Sequence, residues 1–236
     1  MAEIKSAPTE LGTEKIWKLI QSYALPAIIA MTASSLYNMV DSVFVGQGVG
    51  PLAISGLAVT FPLMNLSTAF GTLVGVGGAT ILSILLGQKN YEASRKVLGN
   101  IVTLNIIIGF LFSVVALAFL DPILRFFGAS ENTIVYAKEY MEIILYGNII
   151  SHVYFGLNGA MRASGSPKMA MGLTIFTVLF NTALDPVMIF GMNMGIRGAA
   201  WATVISQFIA MILAILHFTR KDRTVRFEKG ILRLDV

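Results

Sequence analysis

Asp41 and Asp185 stand inside apolar stretches long enough to cross a bilayer. A charge at mid-membrane depth costs about 2.5 to 3.5 kcal/mol on insertion scales, so an acid kept there serves an ion, a proton or a substrate. Each has polar company at helical spacing. Tyr37 lies four residues before Asp41, and Ser34, Asn38 and Asp41 follow at four and three, which draws a polar stripe along one helical face. That stripe has to face protein or water, because hydrocarbon would leave it unpaired. Further on, Asn181 and Asp185 share a face at a spacing of four, with Thr182 between them and Pro186 behind. Pro186 has no N–H to give the Thr182 carbonyl, which leaves a loosened backbone oxygen beside the acid. A carboxylate, an amide, a hydroxyl and such a carbonyl suit a hard cation such as sodium. They suit a proton equally, and if the two acids approach one another, one becomes a proton carrier near neutral pH. In the structural alternative, Asp185 only caps a broken helix near the outer surface and Asp41 only pairs with a neighbouring hydroxyl.

Other constellations read as structure. Gly71, Gly75 and Gly78, and Gly195, Gly198, Ala199, Ala200 and Ala202, recur at spacings that let helix backbones approach closely. Pro26 cannot donate to the Ser22 carbonyl, so a bend is expected there. His152, at a membrane edge, either relays protons or bonds a neighbouring helix, and His217 borders the basic C-terminal stretch and reads as interfacial. Phosphate-cradling glycine loops, catalytic triads and His-based zinc spacings are absent, and with no Cys there are no disulfides, thiol nucleophiles or thiolate metal sites. Neither an enzyme nor a bound cofactor is expected.

The elements that position these residues follow from composition. Hydrophobic residues make up 56% of the 236 and charged residues only 13%, which marks a polytopic membrane protein. The 22 Gly and 12 Met suit closely packed helices with adaptable surfaces. Runs of about 20 apolar residues place six spans at 16–45, 52–86, 97–120, 133–158, 169–191 and 196–218. An all-α integral membrane protein is therefore expected, with a polar tail over 1–15, a transmembrane body over 16–218 and a basic segment over 219–236. The tail has no short apolar core with a cleavage site, so no cleaved signal peptide is expected. Of the 17 Lys and Arg, 14 fall in the tails and the even-numbered loops and only Arg125, Lys138 and Arg197 in the odd ones. That asymmetry puts both termini in the cytoplasm. It also accounts for the net charge of +4, which makes no case for nucleic acid and sets the basic tail beside anionic headgroups.

Three runs, Leu36 to Gly46, Leu157 to Lys168 and Asn181 to Gly191, resemble the multidrug and toxic compound extrusion (MATE) transporters, in the prokaryotic branch with an acid in helix 1. The resemblance implies a cation-coupled antiporter, driven by H⁺ or Na⁺, that exports amphipathic and often cationic compounds across the prokaryotic cytoplasmic membrane. It implies a cation site at Asp41, Asn181, Asp185 and Thr203, a polar network extending into the cavity through Tyr37, Asn158 and Tyr140, and a bending point of helix 1 at Pro26. Thr203 and Tyr140 enter only through the resemblance.

The family has twelve helices in two lobes, whereas this chain supplies six and stops in a basic stretch similar to the start of the inter-lobe connection. It therefore resembles the N-terminal lobe, and a second lobe or a second copy is the expected partner besides lipid and small-molecule substrates. Two other readings stay open: a lobe that does not transport by itself, and a lipid or lipid-linked-sugar flippase of the same superfamily. The flippase would need Arg and Lys lining its cavity for phosphate groups.

Overall fold

The computed structural model describes residues 15–220 and 223–227, apart from the side chains of Tyr37 and Asn38. The helices are α1 (Ile16–Gly48), α2 (Pro51–Gly87), α3 (Tyr91–Ala118), α4 (Leu120–Phe126), α5 (Ile134–Tyr146), α6 (Asn148–Ala163), α7 (Pro167–Pro186) and α8 (Ile196–Thr219), with a π-helical turn at Val187–Gly191 between the last two. No strand occurs among the described residues. Five segments are long and apolar enough to cross a membrane: α1, α2, α3, α7 with its π turn, and α8.

The fourth span departs from the expected single helix over 133–158. It is two helices, α5 and α6, which meet at Gly147 and run on to Ala163. A Cβ on Gly147 would lie 2.5 Å from a Val204 methyl of α8, so the break sits where the chain has to pass α8 without a side chain. The third span also ends early, at Ala118, and the residues after it form the separate short helix α4.

Local chemistry sets most ends. Pro51 occupies the first turn of α2, where its missing N–H costs nothing, and Gly50 before it adopts φ +119°, a conformation that side chains resist. The Asn90 side chain accepts from the Ala93 N–H at 3.2 Å and caps α3. After Pro186 the ladder widens, with the Met192 N–H reaching the Val187 carbonyl at 2.9 Å, five residues back.

The core is divided between the two ends of the bundle. At the basic end, where α2 finishes and α3 begins, Leu82, Leu98, Ile101, Leu157, Met161 and Phe218 pack together. Val45, Leu57, Leu124, Tyr140, Met141 and Ile196 do so at the opposite end. Between them lies a polar layer: the Ser67 hydroxyl donates to Asn148 Oδ1 at 2.6 Å and lies 3.1 Å from His152 Nε2, while Asn148 Nδ2 donates to the Gly109 carbonyl at 3.3 Å. Of the two readings of His152, the bond to a neighbouring helix is thus present. Outward faces of α1 and α2 carry Leu25, Ile28, Leu73 and Ile84, the surface a bilayer solvates.

Two exposed ion pairs, Arg125 with Glu131 at 2.6 Å and Lys138 with Asp121 at 2.7 Å, tie α4 to the start of α5. The Arg125 hydrogen bond and charge hold the Glu131 carboxyl below its ordinary range. At the basic end the segment after α8 folds back: Phe227 N–H donates to the Phe218 carbonyl at 2.9 Å, Arg95 Nε to the Thr224 carbonyl at 3.2 Å, and Val225 is buried. The basic segment thus starts docked on the bundle; the rest of it and the N-terminal tail lie outside the described residues.

Candidate functional site

The site is assembled by three close approaches of α1, α7 and α8. α1 packs along α7. Its C-terminal end meets the π turn through Gly48, where a Cβ would fall 2.4 Å from an Ile189 methyl, and through an edge-on Phe44–Phe190 contact. From the other side Gly198 of α8 presses on the same turn, with room for no Cβ beyond 2.9 Å from the Met188 carbonyl. Small residues at these points let the helices close in, and the approach sets Asp41 beside Asp185.

All four residues of the expected cation site are buried: Asp41, Asn181, Asp185 and Thr203. Asn181 Nδ2 donates to Thr203 Oγ1 at 3.3 Å, and Thr203 passes its own proton to the Ala199 carbonyl at 3.1 Å. The Asn181 amide is thereby turned so that its oxygen points away from α8. Asp41 Oδ1, Asn181 Oδ1 and both Asp185 oxygens are buried without a hydrogen-bond partner, and the two carboxylates lie close enough for Asp41 to act on Asp185 through its charge. Four buried acceptors without a donor are costly unless something positive reaches them. This donor set, two carboxylates and an amide oxygen beside a hydroxyl, fits a hard cation or a proton.

A cavity of about 560 Å³ adjoins the site and shares Asn181 and Thr203 with it. Three polar stripes line it. Asn65, Thr68 and Thr72 come from α2; Thr174, Thr177 and Asn181 from α7; Thr203, Ser206 and Gln207 from α8. The first two run at the three- and four-residue spacing of a single helical face and were legible by the rule that exposed the Asp41 stripe. They were missed because threonine is common in membrane helices, where its hydroxyl bonds the backbone one turn earlier, as Thr177 does to Leu173 at 2.8 Å. The hydroxyl of Ser151 on α6 donates to Gln207 Oε1 and joins α6 to α8 beside the cavity.

Of the residues expected to extend the polar network, Asn158 reaches the cavity. Asn158 is buried, lines the cavity and bonds across to α7, with Nδ2 3.1 Å from the Ala170 carbonyl. Tyr140 is not among the residues lining the cavity; it is 1% exposed and belongs to the cluster at the end opposite the basic one. The Tyr37 side chain lies outside the described residues. Pro26 is buried, and α1 runs through it as one helix.

The profile of the MatE family matches residues 26–187. The chain belongs to the MatE family. Among curated relatives, the multidrug export protein MepA of Staphylococcus haemolyticus is 34% identical over 213 residues, covering 90% of this chain and 47% of MepA. The probable multidrug resistance protein YoeA of Bacillus subtilis is 28% identical over 222 residues, covering 92% of this chain and 48% of YoeA. An outward-facing multidrug resistance MATE transporter superposes with a TM-score of 0.88 at 26% identity, over 97% of this chain and 51% of that one. A MATE in a straight conformation gives 0.87 at 26% identity, over 96% of this chain and 51% of its own. A MATE in a bent conformation gives 0.81 at 27%, over 90% and 49%. This chain thus spans about half the length of the relatives it matches, and its helices form one lobe of the two-lobe MATE architecture.

Proposed function

We propose that this lobe is the ion-coupled half of an antiporter that exports amphipathic, often cationic small molecules in exchange for H⁺ or Na⁺. The observation that carries this reading is the group of four buried acceptor oxygens on Asp41, Asn181 and Asp185 beside a drug-sized cavity whose largely apolar wall carries polar stripes. The ion neutralises the acid pair, and its arrival or departure changes the balance of forces between α1 and α7. Pro26 is the point where α1 bends when that balance shifts. Among the described residues the cavity is lined by one basic residue, Arg162, and no Lys, fewer than a flippase for phosphate-bearing lipids would need. No enzymatic step enters this function.

Alternating access requires one bundle to rock against another around the site. Because the chain spans about half of its relatives, it works with a second six-helix lobe or a second copy of itself. The chain alone binds its coupling ion in detergent, and its melting temperature rises with sodium at fixed pH or shifts with pH at fixed ionic strength. The rise follows RT ln(1 + [L]/Kd), about 2.7 kcal/mol at 100 times Kd. Export in cells appears only when the second lobe is supplied or the chain dimerises. Efflux by a demonstrated monomer overturns the half-transporter reading, and flat melting curves in both titrations overturn ion binding.

The lobe resides in the prokaryotic cytoplasmic membrane with both termini inside. The natural absence of Cys makes this directly measurable. Single cysteines at Glu131 and Asn193 react with an impermeant thiol reagent from outside, and those at Asn90 and Ser166 only after permeabilisation. The reverse pattern overturns the orientation.

A further inference from the structure

Among the described residues, Arg162 is the one charged side chain that lines the cavity. It sits in the last turn of α6, at the end of the cavity away from the acid pair. Its Nε and Nη2 donate to Asn158 Oδ1 at 3.1 and 2.6 Å, and Asn158 in turn spends its Nδ2 hydrogens on the Ala170 carbonyl at 3.1 Å and Thr174 Oγ1 at 3.4 Å. The guanidinium is thus aimed by a buried amide that is itself fixed to α7. No carboxylate pairs with it among the described residues. Nη1 and the second Nη2 hydrogen are uncommitted, so a planar fork of donors faces the cavity.

The acid pair lies outside the cavity lining, next to Asn181 and Thr203 at the opposite end. Thr174, level with Asn158, lies eleven residues before Asp185 on α7, a separation of about 16 Å along the helix. Hydroxyls and amides fill the distance between. A cation alone is drawn toward the acid end and repelled from the Arg162 end; a sulfonate, phosphate or carboxylate finds at Arg162 the fork geometry that binds such groups in two bonds.

We infer that Arg162, held by Asn158, forms a subsite for an anionic group on the transported amphiphile. This rests on the reading of the cavity as a transport site and extends its substrates to anionic and zwitterionic amphiphiles. The anion comes from one of two sources, a soluble compound or a lipid headgroup.

Three probes sharing one ring system separate charge from shape: naphthalene-2-sulfonate, 2-naphthol and N,N,N-trimethyl-2-naphthylammonium. Each is titrated calorimetrically into the chain in a non-ionic detergent. The sulfonate binds the native chain most tightly, and Arg162→Gln weakens it about tenfold or more while leaving the ammonium probe unchanged or tighter. Arg162→Lys, which keeps the charge and loses the fork, falls between. Equal binding of the three probes by the native chain, or full sulfonate affinity in Arg162→Gln, overturns the subsite. If Arg162→Gln does not fold, the ranking of probes on the native chain and the Arg162→Lys ratio decide. Repeating the titration in nanodiscs identifies the source: competition from phosphatidylglycerol but not phosphatidylcholine points to a lipid headgroup, and its absence to a soluble anion, either of which supports the subsite. Ion-dependent melting without sulfonate binding keeps the coupling reading and overturns this one; sulfonate binding without ion-dependent melting does the reverse.

Discussion

Asp41→Asn reduces cation-driven export by the complete two-lobe transporter to the level of cells lacking it, and the protein still folds. Asparagine matches the aspartate in size, so the packing of α1 against α7 is preserved. What disappears is the charge that draws the ion in. The replacement also brings an NH₂ group to a place where Asp185 has two buried oxygens and no donor. Like-charge repulsion between the acids vanishes with it. The ion-free variant therefore melts at or above the temperature of the native chain, while the rise with sodium or the shift with pH is lost. Export assays across a pH series and melting curves with and without sodium measure both halves. Normal export by Asp41→Asn at every pH would sink the assignment of this acid as the coupling group. A variant that loses export and stability together would show that Asp41 holds the fold.

Gly198→Ala is expected to destabilise the lobe by about 1 to 3 kcal/mol, whereas Gly77→Ala leaves it unchanged or slightly more stable. Both changes add the same single carbon to a helix. At Gly198 that carbon would stand 2.9 Å from the carbonyl carbon and oxygen of Met188 and 3.1 Å from the Ile189 nitrogen. Those atoms are backbone and cannot rotate aside, so either α8 or the π turn has to move. At Gly77 nothing lies within 4 Å, and the added methyl only relieves the helix of glycine's excess freedom. The Gly198 variant has a second consequence. The π turn begins two residues after Asp185, so its displacement carries the acid away from Asp41 and weakens the ion effect along with the fold. Thermal melting of the two variants side by side, with and without the ion, tests this. Equal melting temperatures would show that α8 and the π turn give way more easily than their backbone contact implies.

Much of this lobe can be read from the chain because lipid imposes a severe rule. Every backbone polar group must be satisfied within its own segment, so apolar runs of sufficient length have to be helices. The spans over α1, α2, α7 and α8 follow to within a few residues, and so does the placing of Asp41, Asn181 and Asp185 on inward faces, since an acid or amide facing hydrocarbon would be too costly. Spacing alone also puts Asn181 and Asp185 on one face of α7 and marks Pro186 as the place where the helix ladder fails.

Only the packing of one helix on another decided the rest. That Asn181 gives its NH₂ to Thr203 and leaves its oxygen unpartnered depends on α8 arriving at that level, 22 residues further along the chain. Tyr140 went to the cluster at the end opposite the basic one, and the Arg162 guanidinium is held on the cavity wall by Asn158, which is itself bonded to Ala170 of α7. Periodicity reports which side of a helix is polar; it carries no information about which neighbour that side will meet. The meeting is fixed by where small residues such as Gly48, Gly147 and Gly198 allow backbones to touch, and only the folded bundle brings those points together.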